Sequence, residues 1–176
     1  MKPNFQNILN SDSLRATADI AVEAVGDTAE YFKEVLDISL EAKPPINWRA
    51  ARVLALSAEQ YPELFIPYVN KIAQLYSSFK NDGLKRSYAW LLSKYVKHFN
   101  ENSQADIIEI GFNYMISEEK PAVKYNCMKV LFELSKIIPE IKGELQAAID
   151  YNIQNGFFRM NGEIRKIYKA IDIQTI

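Results

Sequence analysis

Residues 43–63, KPPINWRAARVLALSAEQYPE, and residues 120–140, KPAVKYNCMKVLFELSKIIPE, decide how this chain folds. They align without a gap, 77 residues apart, with identity at Lys43/Lys120, Pro44/Pro121, Val53/Val130, Leu54/Leu131, Pro62/Pro139 and Glu63/Glu140. Trp48/Tyr125, Ile46/Val123 and Arg52/Lys129 are conservative exchanges. Each stretch opens on a Lys-Pro pair, runs through apolar residues at helical spacing and meets a second proline. Proline disfavours helix in the residue before it and is tolerated at the first helical position, where its missing N–H has no partner to lose. Each stretch is therefore one bounded helix, and the chain contains that helix at least twice.

Half of the offset lies between 38 and 39, which places a further unit midway. Residues 83–96, GLKRSYAWLLSKYV, match the Trp48 helix at an offset of 37 or 38. One more step reaches Glu163-Ile164-Arg165-Lys166-Ile167-Tyr168, again a basic and apolar helix start. Between these units lie partner helices, expected near residues 28–42, 62–79, 104–116 and 139–155, with a first helix over Leu14, Ala18, Ala21, Val22 and Val25 after the cap oxygens of Ser11-Asp12-Ser13. Gly26-Asp27, Asn81-Asp82-Gly83 and Asn100 to Ser103 are the breaks. No segment alternates with the period of a strand. Residues 1–10 read as a tail or partial helix, and 11–176 as a single domain.

A period of roughly 40 with two helices per unit resembles HEAT and armadillo arrays over about residues 12–172. The resemblance implies an all-α fold, a short right-handed α-solenoid of about four stacked antiparallel helix pairs. A lone helical hairpin cannot bury both its apolar faces, whereas stacked neighbours can. This chain differs from the common HEAT pattern in placing its prolines at helix starts and in lacking a repeated Asp/Arg pair near the turn.

Composition narrows function. The chain holds 21 Lys/Arg and 22 Asp/Glu, so there is no global pull toward nucleic acid or anionic membrane. Residues 1–47 carry four Lys/Arg against eight Asp/Glu, and residues 48–176 seventeen against fourteen: an acidic front and a mildly basic back. A single cysteine, Cys127, excludes an intrachain disulfide and suits a reducing compartment. The start, Met1-Lys2-Pro3-Asn4-Phe5, lacks the apolar run of a signal peptide, and no stretch approaches the ~20 apolar residues that span a bilayer. The expectation is a cytoplasmic chain, monomeric or weakly dimeric, with no membrane and no cofactor.

Chemistry-bearing clusters are absent from the pattern. His98 is the only histidine and cannot by itself build a metal site, and the glycines are isolated rather than grouped into a phosphate loop. No catalytic residue is assigned.

Two surfaces remain. Arg49, Arg52, Arg86, Lys129 and Arg165, with Lys85, Lys124 and Lys166, recur on the first helices of the units and form a basic ridge; the plain alternative is a solvated face with ion pairs to Glu59, Glu133 or Glu163. Tyr68, Lys71 and Gln74, then Glu109, Asn113 and Tyr114, then Gln146 and Asp150 fall on the second helices, a polar-aromatic mix suited to a groove for a protein or peptide. Trp48 and Trp90 each admit two readings, core side chain or anchor beside a cation, and helical spacing favours the core.

The leading expectation is a non-catalytic interaction scaffold using the second-helix face. A relation to HEAT-like DNA alkylation repair glycosylases is the alternative, and acidity together with the placement of the basic residues on the other row argues against nucleic acid. A helical enzyme or fragment of the fumarase and adenylosuccinate lyase superfamily is a further alternative; its Ser-Ser-x-Met-Pro-x-Lys-x-Asn loop is not present.

Overall fold

The computed structural model describes residues 2–171. Residues 172–176, the end of the expected domain, and Met1 of the expected tail lie outside the described residues. Among them the chain forms α1 (Phe5–Ser11), α2 (Arg15–Val25), α3 (Ala29–Glu41), α4 (Ile46–Gln60), α5 (Val69–Leu75), α6 (Asp82–Ser93), α7 (Glu101–Ile116), α8 (Pro121–Ser135), α9 (Lys142–Gln154) and α10 (Gly162–Ile171), with no strand.

The helices stack as two rows. The first helices α2, α4, α6 and α8 pack in succession, and so do the second helices α5, α7 and α9; α3 on α4, α7 on α8 and α8 on α9 join the rows. The architecture is an all-α solenoid built from these two rows. One continuous apolar cluster runs through all of it.

The repeat is visible in burial. Asn47, Ala50, Ala51, Val53 and Leu54 of α4 are buried, as are Lys85, Tyr88, Ala89, Leu91 and Leu92 of α6 and Lys124, Cys127, Met128, Val130 and Leu131 of α8. These three sets superimpose at steps of 38 and 39 residues. Ala18, Ala21, Val22 and Val25 of α2 and Ile164, Ile167 and Ile171 of α10 follow the same i, i+3, i+7 pattern. The turns repeat too. Tyr61 before Pro62 has φ −129° and ψ 75°, and Ile138 before Pro139 has φ −121° and ψ 82°; each proline then opens a single 3-10 turn.

Of the two readings of residues 1–10, tail or partial helix, the structure shows the partial helix: Asn4 accepts the Asn7 N–H at 3.0 Å and caps α1, whose Phe5 and Leu9 are buried against the first unit. Two expectations are corrected. The helix expected over 62–79 is broken into two 3-10 turns, Pro62–Leu64 and Ile66–Tyr68, before α5, and a third at Tyr76–Ser78. Pro67 is the cause, since it has no N–H to donate and disfavours helix at Ile66. α7 starts at Glu101 rather than near 104, because the Asn100 side chain accepts the Ser103 N–H at 2.8 Å and caps it there.

Candidate functional site: the face of the first helices

The expected ridge separates into three kinds of cation. Lys85 and Lys124 occupy equivalent buried positions at the starts of their helices, just after Leu84 and Val123, and point inward. Lys85 pairs with Glu119 and lies 4.5 Å from the centre of the Tyr114 ring. Burial opposes its charge, but the hydrogen bond it donates to Glu119 and the fields of Tyr114 and Glu119 outweigh that and raise its pKa. Lys124 has no carboxylate partner among the described residues. Its Nζ donates to the Met115 carbonyl at 2.8 Å and sits 4.0 Å from the Phe157 ring centre, and burial lowers its pKa. Neither lysine belongs to a surface ridge.

Arg49, Arg52 and Lys129 are ties between units. Arg49 donates to the Leu9 carbonyl at 2.9 Å and Arg52 to the Ser13 carbonyl at 3.1 Å, fastening α1 and the α1–α2 turn onto α4. Lys129 reaches Glu163 at 3.1 Å, and the Tyr125 hydroxyl donates to the same carboxylate at 2.7 Å, fastening α10 onto α8. Burial works against the charge of Glu163, but these two partners hold its pKa below the ordinary value. Arg86 and Arg165 are exposed, with no ion-pair partner among the described residues.

The repeat register places Trp90 of α6 where α4 carries Arg52 and α8 carries Lys129. An indole thus interrupts a row of cations. Trp90 is half-buried and is the side chain common to three depressions. The largest, about 760 Å³, lies among α6, α8 and α10 and includes Lys94, Lys129, Phe132, Glu133 and Lys166. A second, about 350 Å³, lies between α4 and α6 and includes Glu59, Ile66, Lys94 and His98. A third, about 270 Å³, includes Arg52, Leu56, Arg86 and Asn126. Lys94 sits 5.2 Å from the Trp90 ring centre, within cation–π range.

The residues expected to form a groove on the second row are dispersed in role. Lys71, Gln74, Glu109 and Asn113 are exposed on α5 and α7. Tyr68 stacks on Phe32, with ring centres 6.2 Å apart. Tyr114 packs on Tyr76, Asp150 accepts the Tyr168 hydroxyl, and Gln146 is half-buried on α9. None of these eight lines the three depressions around Trp90.

Residues 5–171 match the family model of the HEAT repeat domain. The chain belongs to that family. No curated protein and no solved structure matches it. A HEAT repeat domain is a helical-repeat scaffold, and the two stacked rows with their shared core are that architecture. Among the described residues of this HEAT repeat domain, no three His, Cys, Asp or Glu side chains converge on a possible metal position, and no helix is long and apolar enough to cross a membrane.

The signal that would have singled out this face is local. Arg86, Trp90 and Lys94 are spaced i, i+4, i+8, which lays them along one inclined stripe of a helix. Helical spacing favours the core for Trp90, because Tyr88, Ala89, Leu91 and Leu92 around it are core residues; the indole packs against that core and stays half-buried.

Proposed function

We propose that this HEAT repeat chain is a non-catalytic protein-interaction module that holds its partner on the face of the first helices. The observation that carries this reading is the convergence of three depressions on one half-buried tryptophan. Protein interfaces concentrate their binding energy in such aromatic anchors, set in a concavity and rimmed by polar groups. The face is also extended, because equivalent positions of α4, α6 and α8 lie side by side, as repeat proteins require of a binding surface. The second-helix row, with Tyr68, Lys71, Gln74, Glu109 and Asn113, offers exposed polar side chains and supports this reading less well.

The test is affinity capture with the tagged full chain and identification of what is retained. Trp90→Ala is compared with a second-row variant, Lys71→Ala/Gln74→Ala/Asn113→Ala. A protein retained by the wild type and the second-row variant but lost with Trp90→Ala supports the assignment. Loss through the second-row variant alone moves the interface to that row. No protein retained by the wild type at physiological salt sinks the interaction reading.

A further inference from the structure

We propose that the partner segment seated against Trp90 is acidic and extended, with two carboxylates flanking an apolar residue at positions i, i+2 and i+4. This rests on the protein-interaction reading above and specifies its chemistry.

One stripe of α6 carries Arg86, Trp90 and, at its C-cap, Lys94. Arg86 and Lys94 are both exposed, and neither has a carboxylate within ion-pair distance among the described residues. Arg86 and Lys94, the C-cap of α6, are eight positions apart, a rise of about 12 Å, with Trp90 midway. An extended peptide advances about 3.3 Å per residue and turns alternate side chains to one face, so its residues i and i+4 stand about 13 Å apart with i+2 between them. The two spacings coincide. A carboxylate meets Arg86, an apolar side chain meets the indole, and a second carboxylate meets Lys94.

The surrounding charges agree with an acidic occupant. Two of the three carboxylates in the depressions are already engaged, Glu163 with Lys129 at 3.1 Å and Glu133 with Lys136 at 2.6 Å. Arg52 adds a further positive charge in the depression that contains Arg86. The field that remains over Trp90 is positive, and complementary charge steers and selects partners.

A phosphate backbone fits less well. It carries a negative charge about every 1.7 Å of duplex axis and would have to pass Glu59, Glu133 and Glu163 as well as the cations. A peptide can place its acids only opposite Arg86 and Lys94, and can fill the apolar ground at Leu56, Ile66 and Phe132 with side chains that a sugar-phosphate chain lacks.

The test displays a random library of short peptides to the full chain. The expected enrichment is acid-x-apolar-x-acid. A synthetic peptide of that pattern should bind more weakly as salt rises and lose about tenfold in affinity against Arg86→Glu/Lys94→Glu. The same charge-reversed chain should instead enrich basic-x-apolar-x-basic peptides, an outcome that a misfolded variant would not give. Arg86→Gln/Lys94→Gln, with unchanged helical circular dichroism, should show a smaller loss in the same direction. Enrichment of neutral or basic peptides by the wild type, or acidic enrichment that survives charge reversal, overturns the proposal. Salt-dependent binding of a short DNA duplex, abolished by the same reversal, would assign the stripe to nucleic acid instead. A captured partner that is lost with Trp90→Ala yet unmoved by charge reversal leaves the interaction reading standing and removes this one.

Discussion

Lys85 and Glu119 show what a buried pair does in this array. Each side chain is mostly buried, 10% and 16% exposed, so neither charge can fall back on water. Glu119→Gln should cost about 3 kcal/mol in urea unfolding, because it leaves the ammonium desolvated without its counter-charge. Lys85→Met/Glu119→Leu should recover most of that loss; equal destabilisation by both variants would mean that the pair is replaceable one partner at a time. The buried weak acids set an alkaline limit. Burial pushes the Cys127 thiol up to about 12 and raises the Tyr76 and Tyr88 hydroxyls above their ordinary 10.0. In the unfolded chain the thiol ionises near 9.0. The stabilising contribution is therefore complete below pH 9 and is lost as pH rises toward 12. Thermal melts should show the midpoint falling from about pH 9 upward, with the early part of the fall flattened in Cys127→Ala. Lys124, whose pKa is lowered by burial, works in the opposite sense, so Lys124→Met should steepen the fall. The inward turn of Lys85 and Lys124 was not legible in the sequence. Periodicity puts them near a helix boundary, but their partners, Glu119 and the Met115 carbonyl, lie on other segments of the chain.

At the scale of the helix, most of the first row was legible because it repeats. The prolines, the apolar spacing and the matching stretches fixed α4, α6 and α8 and the period between them. What stayed open was α1, between tail and partial helix, and what escaped was the broken entry to α5. α1 has only seven residues, too few for a periodic pattern to stand out, and is held by the burial of Phe5 and Leu9 and by Arg49. Pro67 interrupts a stretch whose apolar spacing is otherwise helical. One contact between helices gives a sharp expectation. A Cβ on Gly83 would come within 2.7 Å of the Trp48 Cβ, so α6 begins against α4 at a distance that only glycine permits. On an isolated helix Gly→Ala gains up to ~1 kcal/mol. Here Gly83→Ala should instead destabilise by about 1–3 kcal/mol, because α4 and α6 must separate. Denaturant curves decide it: a variant as stable as the wild type, or more so, would show that this junction yields without cost.

Across the whole molecule, nearest-neighbour stacking means that end helices protect what lies inside them. α10 buries Ile164, Ile167 and Ile171 and supplies Glu163 to Tyr125 and Lys129. Ending the chain at residue 160 should lower the urea midpoint while leaving one cooperative transition, since the remaining core is still continuous. An additional plateau in the curve would instead show that the rows unfold in separate blocks. The architecture at this scale was legible from the repeat alone, while the choice between the two rows as a partner surface was not: the second row offers polar side chains, and the three depressions around Trp90 lie on the first. Cys127 adds a practical consequence. It is the only thiol in the chain, it is fully buried on α8, and the Tyr76 hydroxyl stands 3.5 Å from its sulfur. A thiol-specific reagent therefore reaches it only when the centre of the array opens, so the unmodified sequence already carries its own clock. The speed of alkylation, with and without an occupant against Trp90, would time how often the middle helices part and whether a partner on the α6 stripe keeps them closed.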